Sequence, residues 1–174
     1  MNQAAVVGVR RSGGLDSAGA ARLIALMLPL ALLTGAFGSQ YLGGLVPCEM
    51  CWWQRYAHLA AIVPAALAFT APAHSARSRA LTLLAAVAIA VSGAVAVYHA
   101  GVEAKIFQGF TECTASGKGL KGGDLLNQIV HTPLVRCDEV QWRFLGLSLA
   151  AWNAIMSLGG ALLIVTLTVR SRRV

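Results

Sequence analysis

A chain of 174 residues that is 57% hydrophobic and only 12% charged is not a water-soluble globule, where about a quarter of residues carry charge. Its formal net charge of +7 lies along one set of loops, so the basic excess reports orientation across a membrane and carries no signature of nucleic-acid binding.

The first segment holds Arg10, Arg11 and Arg22 and leads into an uncharged block from Leu23 to Leu45. That block is longer than the core of a cleaved leader, and no small-x-small site ends it, so it reads as a retained anchor. Its length matches the ~20 residues a helix needs to cross a hydrocarbon core. A short loop, about 43–51, follows and contains "PCEMCWWQR". The second uncharged block, Tyr56 to Pro72, is the shortest, and Cys51 to Gln54 extend it through the headgroup layer. Arg77 and Arg79 separate it from the third block, Leu81 to Val102. A long loop, about 101–143, opens with the Gly- and Lys-rich "TASGKGLKGGD", which reads as flexible. Next, Leu125, Leu126, Ile129 and Val130 recur at helical spacing up to Pro133, predicting a short amphipathic helix on the membrane surface. The last block runs from Phe144 to Val169, ahead of Arg170, Arg172 and Arg173.

The expectation is therefore an all-α membrane protein: one integral domain over 1–174, a four-transmembrane-helix bundle with a surface helix in its second outer loop. The helices are placed at about 23–45, 52–71, 81–101 and 144–169. Four-residue spacings of small side chains, Ala86–Ala90–Ala94 and Gly146–Ala150–Ala154, predict close helix packing. Eight arginines and Asp16 fall on the side of the termini, whereas six basic and six acidic residues balance on the other. The positive-inside rule then puts both termini in the cytoplasm. All four cysteines, Cys48, Cys51, Cys113 and Cys137, lie on the outer loops, where an oxidising compartment permits disulfides.

Three chemistries share these letters. A zinc site lacks a histidine at the usual spacing beside the lone Cys113 and Cys137, so no metal is expected. Structural bridges account for the count, but a Cys48–Cys51 ring is too small to constrain an unfolded chain much. Small strained rings are the labile, oxidising ones. A redox pair also explains the position. Cys51 opens the second helix, whose N-terminal partial charge favours a thiolate. Arg55 follows four residues later on the same face. The bland reading of Arg55 is a side chain snorkelling to headgroups beside Trp52 and Trp53. A thiolate at the lipid boundary needs an electron acceptor, and no haem, flavin or iron–sulfur motif is present. A membrane quinone fits, with Arg55 at a carbonyl and His99 assisting or passing a proton. His58, deeper on the Cys51 face, reads as packing.

The segments "VPCEMCWWQR", "VYHAGVE" leading to "TECTASG", and "RCDEVQWRFLGLSLAAWN" together resemble the DsbB family of disulfide bond formation proteins, from about Leu23 to Val169. The resemblance implies a bacterial inner-membrane enzyme that reoxidises a periplasmic DsbA-like thioredoxin-fold protein and passes electrons to ubiquinone or menaquinone. It implies redox-active disulfides Cys48–Cys51 and Cys113–Cys137, with Cys113 meeting the partner, Cys137 exchanging with Cys48, and Cys51 facing quinone. Arg55 matches the family's quinone-site arginine, and His99 falls in a variable stretch. Two other readings remain at this level. One is a thiol oxidoreductase like vitamin K epoxide reductase, disfavoured because the cysteine pair opens the second helix. The other is a scaffold with structural bridges.

Overall fold

The computed structural model describes residues 16–109 and 136–171. Four helices form the body. Helix α1 spans Ser17–Tyr41 and starts ahead of the apolar block because Asp16 caps it, accepting the Gly19 amide at 2.6 Å. Helix α2 spans Glu49–Leu67 and tightens into a 3-10 turn over Ala68–Thr70. Helix α3 spans Ala76–Glu103, capped by the Ser75 hydroxyl, which accepts the Ser78 amide at 3.1 Å.

The fourth element departs from the hydropathy reading. Phe144 does not begin a helix. Strands β1, Arg143–Phe144, and β2, Leu147–Ser148, pair antiparallel, and helix α4 follows as Leu149–Arg170. Leu145 and Gly146 both sit at positive φ, 50° and 81°, the backbone of a tight hairpin turn that glycine adopts readily. The Ser148 hydroxyl then caps α4 by accepting the Ala151 amide at 3.1 Å. An uncharged run cannot distinguish these backbones.

Helix α3 packs most extensively on α4 and α2, and α1 closes the bundle against the same two. Away from the cysteines, the core is Ala25 of α1, Ala61 and Ala65 of α2, Ala85, Ala86 and Ile89 of α3, and Ala161 and Ile164 of α4. Side chains this small let the helices approach closely. At Gly93 an added Cβ would lie 2.8 Å from Leu158 Cγ, and at Gly160 it would lie 2.1 Å from Leu28 Cδ2. The packing stripes differ from the four-residue spacings. Gly146 lies in the hairpin turn, so the α4 stripe starts at Ala150 and Ala154. On α3, Ala86 is buried but Ala94 is exposed, and the buried line runs Ala86, Ile89, Gly93, Ala96. Each step of four overshoots a full helical turn by about 40° at 3.6 residues per turn, so a strict spacing drifts off the face.

By length and composition α1, α3 and α4 are apolar enough to cross a membrane, and their outward faces carry residues such as Leu84, Val87, Val91 and Leu162. These features make the chain a multi-pass membrane protein. Helix α2 packs among them but buries Gln54, Arg55 and His58. At the end of the bundle opposite the cysteines, Arg22 is part of α1. Its guanidinium donates to the Ala68 and Ala71 carbonyls at 3.3 and 3.1 Å and lies over the Phe69 ring. The surface helix read at Leu125–Val130, the Gly-rich segment and Cys113 fall outside the described residues.

Candidate redox site

Cys48 holds extended backbone at the N-cap position of α2, φ −78° and ψ 175°. Cys51 therefore lies in the first helical turn, facing back toward Cys48, and the two sulfurs are 3.1 Å apart in hydrogen-bond contact. Cys48 is buried and Cys51 half-buried.

Cys137 reaches the same point from the other side of the loop region. It is fully buried in a small cluster with Cys48, Met50 and Val102. The Cys137 thiol hydrogen-bonds Cys48. That contact, the Cys51 contact and burial together push the Cys48 thiol well above the ordinary thiol range. A thiol that keeps its proton can donate it in a hydrogen bond to the Cys51 sulfur beside it.

Two devices hold the Cys137 segment in place. Gln141 stitches it to the loop before Cys48, accepting from the Val46 amide at 3.0 Å and donating to the Val46 carbonyl at 2.6 Å. Asp138 receives Lys105 Nζ at 2.6 Å and the Arg136 guanidinium through two bonds of 2.9 Å. Those cations, Arg136 first, hold the Asp138 carboxyl well below the usual carboxylate range.

Arg55 does not snorkel outward. It is buried and turns onto α1, donating to Gln40 Oε1 at 2.5 Å and to the Ala36 carbonyl at 3.0 Å. Its guanidinium also lies over the Phe37 and Trp52 rings at 4.8 and 4.9 Å, close enough for cation–π attraction. Helix α1 thus fixes the arginine, a constraint that i, i+4 spacing does not show.

A cavity of about 590 Å³ opens beside these groups. Leu32 and Gly35 of α1, Cys51 and Arg55 of α2, and Trp152 and Asn153 of α4 are among its walls. It is mostly apolar with a few converging polar groups, the character of a small-molecule site. His99 also borders it and stands 3.5 Å from Cys48 Sγ through Nε2. The structure therefore brings together Cys48, Cys51, Cys137, Arg55 and His99, while Cys113 lies outside the described residues.

Cys48, Cys51 and His99 present ligand atoms within 4.8 Å of one another. Among the described residues these are three donors of the kind that zinc accepts, and a structural site uses four.

The sequence reading missed Gln54, Ser92, Asn153, Ser157 and Glu103. Gln54, Ser92 and Ser157 are buried, and Asn153 is partly buried. Together with His58 they form a continuous hydrogen-bonded net across α2, α3 and α4. His58 therefore packs as a member of a buried polar network. The available signal was a run of amides and hydroxyls inside membrane-length apolar helices, where each polar group calls for a partner.

Comparison with known proteins finds relatives over most of the chain. The family model described as "Disulfide bond formation protein DsbB" matches residues 19–167. The chain is similar to Disulfide bond formation protein B of Methylococcus capsulatus, 36% identical over 154 residues that cover 83% of this chain and 90% of that protein. It is similar to the protein of that name from Marinobacter nauticus, 32% identical over 127 residues, covering 71% and 76%. The Polaromonas sp. protein is 30% identical, covering 87% and 92%. No solved structure matches the chain.

Proposed function

The chain belongs to the DsbB family of disulfide bond formation proteins, and from that premise we propose that it is a quinone-dependent protein thiol oxidase that reoxidises a DsbA-like thioredoxin-fold protein. The observation that carries the reading is the gathering of Cys48, Cys51 and Cys137 beside a cavity that Cys51 and Arg55 both line.

A partner thiolate attacks Cys113 of a Cys113–Cys137 disulfide, and the bond's electron pair leaves on the Cys137 sulfur. Cys137, already packed against Cys48, attacks it, and the Cys48–Cys51 bond breaks with its electron pair on Cys51. Arg55 and the N-terminus of α2 stabilise that thiolate. The partner's second thiol then completes its own disulfide, so the partner loses two electrons and two protons in all.

The apolar cavity with Arg55 on its wall fits a flat, lipid-soluble ring. When bound, a quinone supplies the two-electron oxidant that takes up those protons as quinol. Arg55 is already anchored through Gln40 and Ala36, so it needs little reorganisation to meet negative charge developing on a carbonyl oxygen. His99 borders both the cysteines and the cavity.

The same reading makes α2 the fourth transmembrane span. It places both termini in the cytoplasm and the cysteines in the periplasm of a bacterial inner membrane, an orientation that the bias of arginines toward the termini supports.

The test is purified protein mixed with a reduced thioredoxin-fold thiol oxidase and a soluble ubiquinone analogue, followed by quinone absorbance. Quinone should disappear in step with thiol. No quinone reduction with all four cysteines intact would remove the assignment.

A further inference from the structure

The buried net between the cysteines and the bundle interior has a sense of direction, because two of its acceptors are backbone carbonyls, which cannot donate. The Ser92 hydroxyl donates to the Gln54 carbonyl at 3.1 Å. Its one proton is then used, so the Ser92 oxygen must accept from Asn153 Nδ2 at 3.2 Å and from His58 Nε2 at 2.9 Å, the same His58 N–H that faces Asn153 Oδ1 at 3.0 Å. That orients the Asn153 amide. Its Nδ2 also donates to Gln54 Oε1 at 2.8 Å, and its Oδ1 accepts from the Ser157 hydroxyl at 2.8 Å. The Gln54 amide nitrogen is left facing the Met50 carbonyl at 3.1 Å, again a group that only accepts. Both ends of the net agree on the orientation of Gln54.

The same amide nitrogen lies 3.0 Å from His99 Nδ1. A donor at that distance requires Nδ1 to present its lone pair. Neutral His99 must then carry its proton on Nε2, which stands 3.5 Å from Cys48 Sγ and 3.9 Å from Glu103 Oε1, and since the imidazole also meets the Cys137 backbone carbonyl, that carbonyl and the Cys48 sulfur share the proton. Glu103 is itself held by a hydrogen bond from the Ser148 hydroxyl.

We propose that Gln54, oriented by Asn153 and the Met50 carbonyl, is a positioning residue that fixes His99 as an Nε2–H donor aimed at the Cys48 sulfur. The chemical consequence lies in the step that frees Cys48. When a thiolate attacks the Cys137 sulfur of a Cys48–Cys137 disulfide, the new sulfur–sulfur bond forms at Cys137. The old bond breaks, and its electron pair leaves on Cys48. A hydrogen bond donated to that sulfur makes it a better leaving group, whereas a lone pair facing it would repel the developing charge. This kinetic role rests on the reading of Cys48 as an exchanging cysteine. The position of the imidazole proton does not.

Nitrogen-15 spectra of the ring-labelled protein in bilayers at neutral pH test the proton directly, with the His99 signals assigned by their loss in a His99→Asn variant. The expected result is a protonated Nε2 and a bare Nδ1. A proton on Nδ1 in the unaltered protein overturns the proposal whatever the enzyme does. Gln54→Glu places a carboxylate, which accepts, at Nδ1. It should move the proton there and slow cleavage of a trapped Cys48–Cys137 disulfide by a small thiol about tenfold. If the proton moves and that rate does not change, the leaving-group role is wrong. If Gln54→Glu fails to fold, the unaltered spectrum still decides the tautomer.

Discussion

The two ends of this bundle solve opposite problems. The half built around Ala61, Ala65, Ala85, Ala86 and Ala161 is held by close approach of small side chains and leaves little to specify chemically. The half nearer the cysteines buries Arg55, Gln54, His58, Ser92 and His99 among the same helices. Buried polar groups are costly unless partnered, and almost every one here has a named partner on another helix. Close packing therefore sets the rigid frame, and the polar end uses that frame to hold donors and sulfurs at defined distances.

If that division is right, substitutions at the two ends should fail differently. The largest effect belongs to the sulfurs: Cys48→Ala or Cys51→Ala should abolish thiol-dependent quinone reduction while leaving helical content by circular dichroism unchanged. Arg55→Ala should come next, lowering quinone turnover about 100-fold, the scale of losing one charge-stabilising donor. Arg55→Lys should recover only part of that, since a single ammonium cannot reproduce the paired contacts to Gln40 and Ala36. In the frame, Gly160→Val should do the reverse. It forces α4 away from Leu28 of α1 and should cost about 1–3 kcal/mol. That loss would be read as earlier thermal unfolding in detergent, with quinone reduction retained at low temperature.

The smallest effect concerns the Cys137 segment. The folded-state pKa of Asp138 lies below its free-chain value. The clamp with Arg136 and Lys105 is thus fully present above the ordinary carboxylate range and is lost only as pH falls toward the lowered value. Trp142 fluorescence should stay constant from neutral pH down through that range and change below it. In Asp138→Asn the acid change should be absent. Because both cations are exposed, high salt should weaken the clamp at neutral pH as well.

Much of the frame was legible because membrane-length apolar blocks announce themselves. The hairpin over Arg143–Ser148 was not, since Phe144 to Leu147 continue the uncharged run of the helix they precede, and only Gly146 and the capping Ser148 mark the change. At the site, Cys48, Cys51, Arg55 and His99 could be named from type and spacing on one helix or loop. Gln54 and Asn153 could not, because their significance lies in each other, 99 residues apart in the chain. The α1 anchor of Arg55 was hidden for the same reason: Gln40 looks like any polar residue at a helix end.

The sharpest test of the whole account is the redox state of Cys48 and Cys51 in membranes, fixed by rapid acid quench and mapped by differential alkylation. With quinone depleted and reduced thiol oxidase present, both cysteines should accumulate as thiols or as Cys48–Cys137, and restoring quinone should return them to a Cys48–Cys51 disulfide. A pair whose state is the same with and without quinone would contradict it.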